Sequence, residues 1–202
     1  MIILLDCICM MLGAYIYVFF HELGHALAAK TCGLHSYIRI GEQSTIFIRY
    51  KLNMININIG FPPIIGSTKH TYTYNKVKQI FILASGSIIG LISIPICLLL
   101  YSYIKPSHFI LYIHWYLQIN RFLAGILPSL GSGVFHQLGL LFSTNIKIAD
   151  GTIIHKLLFI QEKPYFVILN IIINWICCII LIYNYFYSLQ YDFIISSFFS
   201  IK

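Results

Sequence analysis

The sequence predicts an all-α polytopic membrane protein, with about four transmembrane helices and a small β-hairpin or β-sheet insertion after the first. Composition is the first reason. Apolar residues make up 59% of the 202 residues and charged residues only 9%, whereas about 25% of a soluble domain is charged. The mean hydropathy of +0.84 agrees with this. The second reason is that apolar segments of membrane-spanning length recur along the chain.

Four segments are long and apolar enough to be spans, because a transmembrane helix needs about 20 predominantly apolar residues. They cover approximately residues 3–29, 80–103, 108–128 and 165–187. We expect a single membrane-embedded domain over residues 1–190, followed by a short C-terminal tail at 191–202. The first segment has no basic stretch before it and no small-residue cleavage site after it, which predicts a retained span rather than a signal peptide.

The segment between the first two spans has a different period. Over residues 37–60 apolar and polar side chains alternate, a pattern typical of β-strands. Gly60 and the pair Pro62-Pro63 end this pattern. We therefore predict a small antiparallel sheet of two or three strands. It either covers the helices as a packing element or offers an exposed edge to an extended peptide.

The basic side chains predict how the protein is oriented in the membrane. Most of them lie in residues 30–78 and 147–163, while the loop between the second and third segments holds only Lys105. By the positive-inside rule the two basic loops face the cytoplasm, so both termini lie outside. We expect an integral protein of a bacterial cell membrane. Its net charge of +7 suits contact with the lipid bilayer rather than nucleic acid.

One motif near the end of the first segment carries chemistry: His21-Glu22-Leu23-Gly24-His25. Residues four apart share a helix face, so His21 and His25 direct two imidazoles towards one metal ion. Glu22 lies where it can reach a water molecule at that ion and act as the catalytic base. Ionisable side chains at membrane depth are costly unless they bind or react with something. The motif therefore predicts one Zn²⁺ per chain.

A catalytic zinc site needs a third protein ligand. The extended motif HExxHxxGxxH would need glycine at position 28 and histidine at position 31, but the chain has Ala28 and Thr31. Asp150 is the strongest candidate, because it precedes Gly151 at the start of an apolar helical stretch and can point back towards the spans. Other ligands stay possible, namely His35, Glu42 and Glu162.

These motifs together resemble the site-2 protease family of intramembrane zinc metalloproteases. Members of that family carry HExxH on one membrane helix and a distant Asn-x-x-Pro…Asp-Gly element on another. This chain has HExxH within residues 20–26, Leu127-Pro128, and Asp150-Gly151, and its Ala84-Ser85-Gly86-Ser87 is similar to the family's Ala-Gly-Pro stretch. The resemblance covers about residues 10–160. The family asparagine would fall at Gly125, and the insert between Pro128 and Asp150 is longer than in many relatives.

The resemblance implies a zinc metalloendopeptidase that hydrolyses a peptide bond in or next to a transmembrane segment of a membrane protein or peptide precursor. His21, His25 and Asp150 would hold zinc, and Glu22 would transfer the proton. The alternative is a catalytically silent relative that binds membrane clients as a scaffold; the absent asparagine favours it and the intact Glu22 opposes it. A zinc carrier is a third hypothesis, but it needs ionisable residues along a path, and the second and fourth segments have almost none.

Overall fold

A computed structural model describes residues 2–62, 66–71, 73–104, 118–119, 122, 125–126, 150–158, 168–169, 172–173, 175–177, 179–180 and 182–187. The elements are, in chain order, helix α1 (Ile2–Thr31), strand β1 (Ser36–Ile40), a short 3₁₀ helix (Gln43–Thr45), strands β2 (Ile48–Leu52), β3 (Ile55–Ile59) and β4 (Gly66–His70), and helices α2 (Lys76–Gly90), α3 (Ser93–Ile104) and α4 (Asp150–Leu158).

The prediction of an all-α protein with about four spans is wrong. The structure combines helices with a mixed four-stranded sheet of order β2-β3-β1-β4. Among the described residues, only two helical stretches are long and apolar enough to cross a membrane, Leu4–Thr31 and Lys76–Ile104. These two stretches weakly indicate membrane association, because a buried core helix or a signal sequence meets the same criteria.

The two other predicted spans are described only in part. The third, at 108–128, lies mostly outside the described residues, and the fourth, at 165–187, lies partly outside them. Within the fourth, Trp175–Tyr187 is an apolar helix shorter than a span. The predicted tail at 191–202 lies wholly outside the described residues.

The sheet is larger than the predicted insertion, and its pairing differs. Strands β2 and β3 form an antiparallel hairpin, but β3 pairs with β1 in parallel. Strand β4 pairs antiparallel with β1 and lies beyond residues 37–60. Its sequence Gly-Ser-Thr-Lys-His lacks the apolar alternation that predicted the other strands. Only pairing with β1 makes this polar segment a strand, which is why sequence periodicity missed it.

The inner face of the sheet packs against the second half of α1. One apolar cluster joins helix and sheet, and it consists of Tyr17, Val18, Ala26, Ile38, Ile40, Ile55 and Ile57. Side chains alternate across a strand, so the same register that buries these isoleucines places every second residue of β1, β3 and β4 on the side of α1. The sheet is thereby fixed beside the turn of α1 that carries HExxH.

The predicted segment 80–103 is divided into α2 and α3 by a turn at residues 91–92. Pro95 has no backbone N–H to donate to the carbonyl of Leu91. The N–H of Ile94 bonds that carbonyl instead, at 3.1 Å, in a tighter turn. Helix α2 begins at a polar cap, where the side chain of Asn75 accepts hydrogen bonds from the N–H groups of Val77 and Lys78.

Helices α1 and α2 cross with their backbones in contact. A Cβ atom at Gly24 would overlap the carbonyl oxygen of Ser85 and lie 2.9 Å from the Cα of Gly86. Glycine at position 24 is therefore required by the close approach of the two helices. Because Gly24 lies inside the HExxH motif, this crossing places α2 directly beside the two histidines.

Candidate metal centre

Three side chains that are distant in sequence converge at the crossing of α1 and α2. The Nε2 atoms of His21 and His25 are 3.2 Å apart. The Oδ2 atom of Asp150 lies 3.3 Å from Nε2 of His21 and 3.1 Å from Nε2 of His25. Two nitrogens and one carboxylate oxygen thus form a nearly equilateral triangle, which is the arrangement of three ligands facing one ion.

The size of this triangle fits zinc. Bonds of about 2.0–2.1 Å from Zn²⁺ to nitrogen or oxygen, in tetrahedral geometry, set neighbouring ligand atoms about 3.3–3.4 Å apart. The observed edges of 3.1, 3.2 and 3.3 Å need only a slight opening to match. If His21, His25 and Asp150 held zinc, one coordination position would stay open for a water molecule or a substrate, as it does in catalytic zinc sites.

His25 is held in the orientation that a metal ligand needs. Its Nδ1 atom donates a hydrogen bond to the backbone carbonyl oxygen of Ile82 over 2.8 Å. Because that carbonyl can only accept, Nδ1 carries a proton, and when the ring is neutral its lone pair is on Nε2, towards the triangle. A hydrogen bond from the second ring nitrogen commonly fixes the tautomer of metal-binding histidines. The imidazole is buried, with 6% exposure.

His21 is oriented by stacking. Its ring lies 5.8 Å from the ring of Tyr17, one helical turn earlier, at an interplanar angle of 20°. The His21 and His25 rings meet edge to face, with centroids 4.7 Å apart and planes at 87°. Nδ1 of His21 is buried and has no hydrogen-bond partner within the described part of the chain. Within the described ranges, this imidazole is therefore oriented by packing and not by a hydrogen bond from Nδ1.

Asp150 reaches the histidines because it is the first residue of α4, which packs against α2. Its carboxylate lies at a helix N-terminus, where the helix dipole favours negative charge. Burial alone would raise the pKa of the Asp150 carboxyl, but hydrogen bonds from His21 and His25 and their charge lower it well below its ordinary value. The carboxylate is therefore ionised, as a metal ligand must be.

Glu22 directly follows His21 on α1 and is 6% exposed. Its Oε2 atom accepts a hydrogen bond from the hydroxyl of Thr68 on β4, at 2.7 Å. On the other side the carboxylate lies against Gly66, where a Cβ atom would overlap Oε1. No sequence pattern points to Thr68 or Gly66, since both belong to the polar strand β4, which lacks apolar alternation.

Gly86 lets α2 approach the imidazole of His25. A Cβ atom there would overlap Cε1 and Nε2 of the ring. Gly86 belongs to the segment that is similar to the Ala-Gly-Pro stretch of the site-2 protease family, and its contact with the His25 ring gives a steric reason for glycine at this position. A glycine is needed here because the backbone of α2 directly contacts the His25 ring.

Gly125, where the resemblance would place the family asparagine, meets a polar group from α2. A Cβ atom there would overlap the hydroxyl oxygen of Ser87. Ser87 is 1% exposed, and its hydroxyl has no hydrogen-bond partner among the described residues. An asparagine at position 125 would not fit unless Ser87 moved.

Two of the three alternative ligands, His35 and Glu42, do not join the centre. His35, just before β1, and Glu42, in the turn after β1, are both exposed. Glu162 lies outside the described residues. Over the described ranges, His21, His25 and Asp150 form the one group of three or more His, Cys, Asp or Glu side chains whose ligand atoms converge.

No protein-family model matches the chain, and a comparison with curated proteins gives no match.

Proposed function

We propose that this protein is a membrane-associated, zinc-dependent endopeptidase of the site-2 protease type. The observation that supports it most strongly is the triangle of His21, His25 and Asp150, with Glu22 adjacent to His21 in the chain. Two histidines and a carboxylate with an open fourth position, next to an acid–base carboxylate, are the parts that metal-assisted hydrolysis requires. A structural zinc site would use a fourth protein ligand and would have no need of Glu22.

Each residue has a distinct role in this proposal. His21, His25 and Asp150 bind zinc, which when bound polarises a carbonyl group and lowers the pKa of a water molecule to about 7. Glu22 accepts a proton from the attacking water and gives it to the amine that leaves when the peptide bond breaks. Both carboxylate oxygens of Glu22 contact β4: Oε2 accepts a hydrogen bond from Thr68, and Oε1 lies against Gly66. The orientation of the carboxylate is therefore set before a substrate arrives.

The proposed location is a membrane, with the centre near the cytoplasmic face. Helix α1 has 30 residues, about 45 Å at 1.5 Å per residue, which exceeds the hydrocarbon thickness of about 30 Å. Large apolar side chains on the outer surface of α1 and α3 are exposed to half their area or more, including Leu4 at 67%, Ile8 at 50% and Leu99 at 63%. Contact with lipid accounts for such a surface better than contact with water.

The proposed substrate is a peptide segment in or next to a transmembrane helix. A membrane helix hides its carbonyl groups in hydrogen bonds, so it must unwind before hydrolysis. Strand β4 ends the order of the described strands and contacts Glu22 through Thr68. An extended peptide paired along β4 would be guided to the zinc-binding side chains. This assigns the predicted peptide-binding edge to β4 rather than to residues 37–60.

The test uses purified protein loaded with zinc and reconstituted with single-span peptides as candidate substrates. Glu22→Gln removes the base but keeps the size of the side chain, so we expect cleavage to fall by at least about a hundredfold while one zinc stays bound. Glu42→Gln is the matched control, because Glu42 is exposed in a turn. Cleavage retained in Glu22→Gln would contradict the proposal. Zinc binding without cleavage by the natural sequence would favour the silent scaffold instead.

A further inference from the structure

Strand β4 contacts the carboxylate of Glu22 from two sides. The Thr68 hydroxyl lies 2.7 Å from Oε2 of Glu22 and 3.0 Å from its backbone carbonyl oxygen. A hydroxyl has one hydrogen to donate, and a bond to an ionised carboxylate is roughly twice as strong as a neutral one. The shorter contact is also the stronger one, so the hydroxyl is directed mainly at the carboxylate.

The second contact is steric. The Oε1 atom of Glu22 occupies the space that a Cβ atom would take at Gly66, and the carboxyl carbon would be 3.0 Å from it. Gly66 and Thr68 are two residues apart and face the same side of β4, opposite Ile40 and Ile38 of β1. One strand therefore holds one carboxylate oxygen by a hydrogen bond and leaves just enough space for the other.

We infer that Thr68 is a positioning residue, which sets the carboxylate of Glu22 in the orientation needed to accept a proton beside the zinc-binding side chains. The inference rests on the proposed function and deepens it. Glu22 is on the helix that supplies two ligands, but a glutamate side chain has several rotamers. The hydroxyl on the neighbouring strand selects one of them, and this selection is made before any substrate binds.

A role limited to attaching β4 to α1 is the competing explanation, since the hydroxyl also lies near the backbone carbonyl of Glu22. The two roles differ in what they change. Loss of an attachment lowers the stability of the fold, whereas loss of positioning lowers proton transfer at Glu22 and leaves the fold and zinc binding unchanged. Thr68→Val separates them, because valine has the same shape and is well tolerated in strands.

The probe is acetohydroxamic acid added to the zinc-loaded protein, with affinity measured by calorimetry. A hydroxamic acid chelates zinc and must pass a proton to a nearby base, so its affinity reports the placement of Glu22 without any need for peptide cleavage. We expect Thr68→Val to keep one zinc and to bind the probe about ten- to a hundredfold more weakly, the range for losing a hydrogen bond to a charged group. Thr68→Ser, which keeps the hydroxyl, should stay within about threefold of the natural sequence.

Two further variants complete the test. Thr71→Val makes the same chemical change at an exposed position just after β4 and should leave the affinity unchanged. Gly66→Ala displaces the carboxylate from its other side while the hydroxyl remains, and should weaken the probe as Thr68→Val does. If a peptide is cleaved, Thr68→Val should lower kcat and leave KM nearly the same.

The inference would be overturned if folded, zinc-loaded Thr68→Val bound the probe as tightly as the natural sequence does. It would also be overturned if Thr68→Ser lost as much affinity for the probe as Thr68→Val. If Thr68→Val does not fold, the comparison of Thr68→Ser with Gly66→Ala decides, and natural affinity in Gly66→Ala overturns the inference. Failure of the natural sequence to cleave any peptide would count against the proposed protease and not against Thr68, because the hydroxamate measurement does not depend on cleavage.

Discussion

The Nδ1 atom of His25 donates a hydrogen bond to the backbone carbonyl oxygen of Ile82 over 2.8 Å, which joins the turn of α1 that carries both histidines to helix α2. The bond commits the proton of Nδ1 to α2 and directs Nε2 at Asp150, 3.1 Å away. A close contact between Nε2 and a carboxylate oxygen is favourable when Nε2 also carries a proton. Zinc needs the lone pair of that same atom, so the ion and this proton exclude each other.

Zinc binding should therefore release protons to solvent. We expect about one proton per zinc at about pH 6.5 and weaker zinc binding as the pH falls, since a metal ligand must be deprotonated. Isothermal titration calorimetry in two buffers with different protonation enthalpies measures the number released. A binding heat that is the same in both buffers would contradict this prediction.

Removal of any of the three ligand side chains should abolish tight zinc binding. At micromolar zinc we expect the zinc content of His25→Ala and of Asp150→Ala to fall from about one zinc per chain to well below it. The reason is that two ligands alone do not complete a site. Zinc content after gel filtration checks this. His35→Ala and Glu42→Gln are the controls, as both residues are exposed and lie apart from the triangle. Full zinc content in Asp150→Ala would show that the third ligand is another residue.

Gly86→Ala should weaken zinc binding although position 86 supplies no ligand. The added Cβ atom would overlap the His25 ring, so either the imidazole or α2 has to move. Displacing a supporting contact of a metal ligand typically costs 10- to 100-fold in affinity, roughly the loss we expect. The measurement is competition for zinc with a chelator of known affinity.

Gly90→Ala is the matched control for that variant. It makes the same change one helical turn further along α2, where the new Cβ atom would lie 3.4–3.6 Å from the ring of Tyr17, an ordinary van der Waals distance. We expect its zinc affinity to equal that of the natural sequence. An equal loss of zinc affinity in both variants would mean that any added volume on α2 weakens zinc binding. The contact with His25 would then not be the cause.

Gly125→Ala should destabilise the fold, and Ser87→Gly should relieve that effect. The Cβ atom at position 125 would overlap the Ser87 hydroxyl, and overpacking of a core costs about 1–3 kcal/mol. Such a loss lowers the thermal unfolding midpoint by about 2–4 °C per kcal/mol in a chain of this size. A double-mutant cycle on the unfolding midpoints measures the coupling, and additive effects would show that the two residues do not meet.

Local spacing determined the chemistry of the motif. Residues 21 and 25 are four apart, and helix geometry places such residues on one face whatever surrounds them. The alternation over residues 37–60 likewise indicated strands, because a period of two is a property of the extended backbone. Both signals depend only on neighbours along the chain, so the sequence contained them in full.

Tertiary structure decided what depends on distant segments. Parallel pairing of β1 with β3, the polar strand β4, and the hydrogen bond from His25 to Ile82 join residues separated by 19 or more positions. The sequence indicated Asp150 as the strongest of several possible ligands. Packing of α4 on α2 brings its carboxylate within 3.3 Å of both imidazoles. Thr68 and Gly66 contact Glu22 only because the fold places β4 beside α1. Such contacts depend on which distant segments bury surface and form hydrogen bonds with each other in three dimensions. Periodicity along the chain carries no information about that pairing.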